Sequence, residues 1–262
     1  RHIPYDKLII ATGSRAFVPP MPGTDLYGVF VFRTLEDCTA IAKYAKSART
    51  AAVIGGGLLG LEAAKGLMNH GPAVHVIEMA PHLMAVQVDA AGGAILGRTV
   101  GNLGVTAHCG KATTEILADE GRRACGLKFK DGSELACDMV VISAGIRPNL
   151  ELAREARLPT ERAILVDDQL LTEDRDIYAV GECAQHRGKC YGLVAPIWEQ
   201  CRVLADQITG VNQEAAYTGS FIATKLKVMG VNVASMGERD AQPGDEVVRY
   251  EEPESGTYKK LL

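Results

Sequence analysis

Residues Thr50–Glu78 read TAAVIGGGLLGLEAAKGLMNHGPAVHVIE, and this stretch decides the fold. An apolar run, Ala51 to Ile54, enters a glycine turn; an alanine- and leucine-rich segment, Leu58 to Asn69, follows; a second apolar run closes on Glu78. Strand, turn, helix and strand are expected in that order. The glycines fall at Gly55, Gly57 and Gly60, the spacing of a dinucleotide-binding turn. The first lets the chain reverse, the second keeps side-chain bulk off a pyrophosphate, and the third lets helix and strand lie close. Leu58 and Leu59 open the helix, where N–H groups without an intrahelical partner receive phosphate. Glu78 stands roughly 20 residues past the turn, where an acid meets a ribose diol. Met79 to Leu83 contain no lysine or arginine to hold a 2′-phosphate, so NADH is expected to be preferred over NADPH.

Composition sets the class. The chain has 262 residues, 47% hydrophobic and 23% charged, which suits a globular protein of one large or two modest domains. A net charge of -4 with scattered basic residues argues against a nucleic-acid partner. No apolar run approaches the ~20 residues of a membrane span, and no signal-peptide pattern opens the chain, so no membrane partner and a cytoplasmic location are expected. Seven cysteines, an odd number, fit a reducing compartment.

Tyr5 to Ser14, YDKLIIATGS, reads as a strand running into a glycine turn, with Leu8 to Ala11 apolar on both faces as in an interior parallel strand. Because this strand comes without partners before it, and the final strand stops with the chain, the sequence is expected to be an internal piece of a longer protein. Phe17 to Gly23 is a proline-rich connector, and Thr34 with Asp37 makes a capping box for a helix to about Ser47. A helix over Asp89 to Leu103 and a strand over Val105 to His108 follow. Thr114–Leu117, Gly126–Phe129 and Ser133–Ala136 read as β segments, the last two joined at Asp131-Gly132. Met139 to Ser143 returns to a buried strand, and Gly145 to Asn149 reads as a crossing between domains. Short strands from Ala163 to Val180, a helix from about Ala195 to Thr209, and strands at Val247–Tyr250 and Tyr258–Leu262 around a Pro253–Gly256 turn complete the reading. Strands alternating with helices imply an α/β fold with a doubly wound parallel sheet.

YDKLIIATGSRAFVPPMPG, VIGGGLLGLEAAKGL and ILVDDQLLTEDRDIYAVGECAQ resemble successive signatures of the two-dinucleotide flavoprotein reductases. Within that superfamily, HVIEMAPHLMAVQVD, VISAGIRPN, YAVGECAQHRGKCYGLVAPIWEQ and ATKLKVMGVNVASMG resemble the large subunits of NAD(P)H-dependent nitrite reductases. The resemblance implies a Rossmann-like NAD domain (34–148) inserted in a partial FAD domain (1–33 and 149–218), with the start of a C-terminal α+β domain (219–262). It implies NAD(P)H and FAD as cofactors, with siroheme and an iron–sulfur cluster outside these residues. A small subunit and a homodimer are the partners it suggests. Thr12 and Gly13 match the turn passing the FAD pyrophosphate. Gly181 and Glu182 match the second FAD fingerprint, with glutamate where most relatives carry aspartate. Glu62 resembles an acid near nicotinamide and flavin, Gly145 the loop over the nicotinamide, and Pro196 with Glu199 the helix start facing the flavin.

The family's first FAD glycine motif is not in the sequence, so weak FAD binding at most is expected of this piece. The cysteines show neither C-x-x-C nor C-x-x-x-x-C spacing, which excludes a zinc knuckle and a disulfide redox pair, and no metal ligand is assigned. His70, His75, His82, His108 and His186 show no ligand spacing and are read as structural. The implied chemistry is hydride transfer from NADH to flavin, feeding metal centres that reduce nitrite to ammonia. A ferredoxin or rubredoxin reductase, an NADH oxidase, and a non-catalytic NAD(H)-sensing module remain alternative readings.

Overall fold

The computed structural model describes residues 2–228, 230–252 and 255–262. In chain order its elements are β1 (Leu8–Ile10), β2 (Ser14–Ala16), β3 (Val29–Val31), α1 (Leu35–Ala45), β4 (Thr50–Ile54), α2 (Leu58–Met68), β5 (Ala73–Glu78), α3 (Ala90–Asn102) and β6 (Val105–Cys109). Then come β7 (Thr113–Ala118), β8 (Ala124–Phe129), β9 (Glu134–Ala136), β10 (Met139–Ile142), β11 (Ile146–Pro148), α4 (Glu151–Glu155), β12 (Ile164–Val166), β13 (Ile177–Ala179), β14 (Ala184–His186) and β15 (Lys189–Cys190). The chain ends with α5 (Val194–Thr209), β16 (Ala223–Val228), β17 (Val231–Met236), β18 (Val248–Glu252) and β19 (Thr257–Leu261). Two compact units result: Arg1–Arg15 with Ile146–Ile222, and Ala16–Gly145 with Ala223–Leu262.

The second unit is built on a parallel sheet of order β3-β10-β4-β5-β6. Its central strands β4 and β10 are apolar and buried on both faces because both are covered. Ala51 and Val53 of β4 point into a core shared with α1, α2 and α3, through Ile41, Leu61, Leu67 and Leu96. Ala52 and Ile54 point the other way, onto Ile116, Leu127 and Phe129 of the antiparallel sheet β7-β8-β9. That sheet is the hairpin excursion expected from Asp131-Gly132, where Gly132 turns at φ +82°.

Local chemistry sets the helix ends. The Thr34 side chain accepts the Asp37 N–H at 3.2 Å while the Asp37 carboxylate accepts the Thr34 N–H at 2.8 Å, completing the capping box. Asp89 caps α3 by accepting the Gly92 N–H at 3.0 Å. Two hairpins, β16–β17 and β18–β19, complete this unit. Val231 and Val233 pack on the helical core, and Tyr258 donates its hydroxyl to Asp89 at 2.8 Å. Of the expected Pro253–Gly256 turn, Pro253 and Glu254 lie outside the described residues.

In the first unit β1 pairs in parallel with β13, and β12-β14-β15 form a second small sheet. Ile10, Ile164, Ile177 and Ala179 share one core; Leu170, Tyr178, Tyr191, Leu204 and Tyr217 share another. β1 has β13 as its neighbour in the described sheet, and Ile9 is 46% exposed. The stretch read as a crossing between domains, Gly145 to Asn149, spans the boundary between the two units and contains β11, which pairs with β2. No helix among the described residues is long and apolar enough to cross a membrane.

Candidate dinucleotide site

In the second unit, β4 gives way to Gly55 at φ +122°, whose N–H donates to the Ile77 carbonyl at 2.8 Å. The three motif glycines serve different ends. A Cβ at Gly55 would lie 2.2 Å from the Ser143 carbonyl oxygen, and one at Gly60 only 1.9 Å from that of Gly55, so both are packing requirements. A Cβ at Gly57 would meet nothing within 4 Å. That open position is where a ligand's backbone-hugging group fits. Gly57 caps α2 without any side chain over the helix start, and the first helical bond runs from the Leu61 N–H to the Gly57 carbonyl at 3.0 Å. The N–H groups of Leu58, Leu59 and Gly60 therefore lack intrahelical acceptors and face the helix's positive end.

The strand order places this turn correctly for binding. From β4 the sheet grows toward β5 and β6 on one side and toward β10 and β3 on the other, so the crevice beyond the carboxyl ends of β4 and β10 is a topological switch point. Gly145 follows β10 there at φ +98°, with no atom near its Cβ position.

Glu78 ends β5 and is clamped. One carboxylate oxygen accepts the Gly56 N–H at 2.7 Å and the other accepts the Ala80 N–H at 2.7 Å. Each oxygen keeps a lone pair for a further donor. Gly56 is needed because a Cβ there would lie 2.7 Å from Leu83 Cδ2 and 2.9 Å from Glu78 Cβ. Across the register from Glu78 stands Cys109, whose thiol is pushed up by partial desolvation and then by the Glu78 charge. Sequence spacing missed one cation: Lys111 donates its backbone N–H to the Glu78 carbonyl at 3.0 Å. Its ammonium is held by Asp131 at 2.5 Å and Ser133 at 2.8 Å. Glu62 lies on the exposed face of α2, next to buried Leu61.

The first unit carries a pair of turns of its own. Gly13 (φ +62°) follows β1 and Gly181 (φ +87°) follows β13, and neither has an atom within 4 Å of its Cβ position. Both lie past the carboxyl ends of paired parallel strands, so a cofactor's phosphate or polyol chain fits against their backbone. Thr12 donates its hydroxyl to the Asn149 carbonyl at 2.9 Å, and Asn149 returns its amide to the Thr12 carbonyl at 2.8 Å. Glu182 accepts the Ser14 hydroxyl at 2.7 Å. On α5, Pro196 is buried in the first turn, where a missing N–H costs nothing, and exposed Glu199 accepts the Ser220 hydroxyl. The sequence did not single out Gln200, which is fully buried and accepts the Gly181 N–H at 2.9 Å.

An open glycine at a helix start, a clamped acid at the end of the second strand and a switch-point crevice define a dinucleotide-binding α/β protein. The comparisons narrow this. The chain belongs to the pyridine nucleotide-disulphide oxidoreductase family, whose model matches residues 1–205, and the rubredoxin NAD+ reductase C-terminal domain model matches residues 223–262. It is 46% identical to the NAD(P)H nitrite reductase of Bacillus subtilis over 99% of its length and 32% of that protein's. It is 47% identical to the NAD(P)H nitrite reductase large subunit of Klebsiella oxytoca, covering 98% of this chain and 27% of that one. The chain thus spans about a third of these relatives. A ferredoxin reductase from Rhodopseudomonas palustris superposes with TM-score 0.86 at 31% identity, over 98% of this chain and 64% of that one.

Proposed function

We propose that this chain is the NADH-binding, flavin-reducing part of an NAD(P)H-dependent nitrite reductase large subunit. The observation that carries the reading is the open backbone at Gly57 beside the clamped Glu78, in a chain 46% identical to a nitrite reductase over 99% of its length. The N–H groups of Leu58, Leu59 and Gly60 hold the pyrophosphate, and Glu78 takes the ribose diol. Gly145 gives the nicotinamide a backbone surface without side-chain bulk, and Glu62, exposed on α2, is the acid that the resemblance assigns near it. Gly13 and Gly181 admit the flavin cofactor's chain to the backbone; Thr12, Glu182, Pro196 and Glu199 line that second site. A bound flavin would supply the acceptor for hydride from NADH and the release of single electrons, and siroheme and iron–sulfur groups outside these residues would supply the reduction of nitrite. The roles left to the chain are to align, to desolvate and to select the nucleotide. The cytoplasm, a small subunit and a homodimer are the setting that fits this reading.

Calorimetric titration with NADH and NADPH tests the nucleotide site. NADH should bind at least ~10-fold more tightly, and equal affinities or no NADH binding would count against it. The match of residues 223–262 to the rubredoxin reductase C-terminal domain favours a second reading, electron delivery to a small iron–sulfur protein. Binding of rubredoxin to the chain in the same calorimeter would favour that reading over the first.

A further inference from the structure

Two imidazoles meet on a face of the parallel sheet that the nucleotide site does not use. His75 on β5 stands in register with Thr106 of the neighbouring β6, and His108 lies two residues further along β6, so both side chains project on the same face. β6 is the edge of that sheet. His75 Nδ1 and His108 Nε2 are 3.0 Å apart, with the rings stacked at 5.2 Å between centroids and 28° between planes. Both residues are half-buried: held by the strands, yet open to solvent on one side.

In the free protein one ring donates a hydrogen to the other. The same geometry suits an ion in place of that bridging hydrogen. Two nitrogens bound to one tetrahedral ion at ~2.0–2.1 Å stand about 3.3 Å apart, so His75 and His108 need to separate by only a few tenths of an ångström. Each ring would move its remaining hydrogen to the nitrogen facing away, so a pair of neutral imidazoles binds without releasing a proton. A cation nearby, Lys111, is held by Asp131 at 2.5 Å and lies 5.5 Å from the Phe129 ring centroid, which offsets its repulsion. Among the described residues no group of three or more His, Cys, Asp or Glu side chains could hold a metal together, so water must complete the coordination. The neighbouring Cys109 sits on the opposite face of β6 and is not a third ligand.

We propose that His75 and His108 form a surface site for one divalent transition-metal ion of the copper, nickel and zinc type. Imidazole is a preferred ligand of these ions, while magnesium and calcium favour oxygen donors. The site is independent of the nucleotide reading and would stand if that reading fell.

The test is calorimetric titration of the chain with Cu2+, Ni2+, Zn2+ and Mg2+, after alkylation of the exposed Cys109 and Cys125 thiols. One ion per chain should bind, Cu2+ most tightly and Mg2+ not at all. His75→Gln and His108→Gln should each weaken binding at least ~10-fold, with NADH affinity kept. Unchanged affinity in either variant, or no saturable binding to the unmodified chain, overturns the site. Should the variants fail to fold, histidine acylation mapped by mass spectrometry on the unmodified chain decides. Zn2+ should slow reaction at His75 and His108 and leave exposed His70 unaffected; equal rates with and without Zn2+ overturn the proposal.

Discussion

The Cβ position of Gly60 lies 1.9 Å from the carbonyl oxygen of Gly55, whereas that of Gly57, three residues earlier, meets nothing within 4 Å. Two glycines of one motif therefore serve different ends. Gly60 lets α2 pass against the turn; Gly57 leaves the backbone open at the helix start.

Alanine substitutions should separate these roles. Gly60→Ala forces backbone apart inside a packed unit and should cost about 1–3 kcal/mol of stability. Gly57 has φ -83° and ψ -171°, which alanine adopts freely, so Gly57→Ala should melt within a few degrees of the parent. In the proposed site its methyl group would meet the pyrophosphate, so NADH affinity should fall ~10-fold or more. Thermal melts and calorimetry measure both. Unchanged NADH affinity in Gly57→Ala would remove the pyrophosphate assignment.

Acid should loosen the C-terminal hairpins first. Desolvation pushes the Asp89 carboxyl up, but the Gly92 N–H, the Tyr258 hydroxyl and the Lys260 ammonium outweigh it and hold it at about 2. A carboxyl depressed in the folded state gives stability that is complete above its ordinary range near 3.8 and is lost as pH falls toward 2. The contribution is on the order of 1 kcal/mol, since the group is only partly shielded from water. Tyr258→Phe should raise the Asp89 pKa and move the acid midpoint upward. A midpoint unmoved by that change would show that the hydroxyl does not hold the carboxylate.

Most of the second unit was legible because its signals are local. The glycine spacing, the Thr34–Asp37 capping box and the Asp131-Gly132 turn each act within a few residues, and each is found where the sequence puts it. What was missed depends on partners distant in sequence. β3 is three residues long and is a strand because β10 pairs with it. Ser14 reaches Glu182, and Lys111 reaches the Glu78 carbonyl, only after folding. Gln200 lacked any signal: a glutamine in an amphipathic helix looks like a surface residue until the buried Gly181 N–H is found to depend on it.

That dependence can be measured. Gln200→Leu removes the acceptor and leaves a buried N–H unpaired at a turn of φ +87°, which should cost about 1–3 kcal/mol. Gln200→Glu keeps an acceptor oxygen at the same reach and should recover part of the loss. Urea denaturation of the two variants tests the pair. Equal stability of Gln200→Leu and the parent would show that Gly181 is satisfied in another way.

Glu78 gives the sharpest test, because its carboxylate has two duties. It spans the Gly56 and Ala80 N–H groups at 2.7 Å each, and in the proposed nucleotide site its charge would oppose a 2′-phosphate. Glu78→Gln removes the charge but also sets an amide N–H2 against one of those backbone N–H groups, donor against donor. The variant should therefore lose about 1–3 kcal/mol of stability and bind NADH somewhat more weakly. NADPH should improve, since one like-charge contact at a partly exposed site is worth on the order of 1–3 kcal/mol. The preference for NADH, expected at ~10-fold or more in the parent, should narrow accordingly. A further step comes from Lys111, whose ammonium is held by Asp131. Asp131→Asn in the Glu78→Gln background frees that cation beside the strand end, and NADPH affinity should rise again while NADH stays level. Parallel loss of both nucleotides in Glu78→Gln, with no gain for NADPH in either variant, would mean that Glu78 only braces the turn and does not read the ribose.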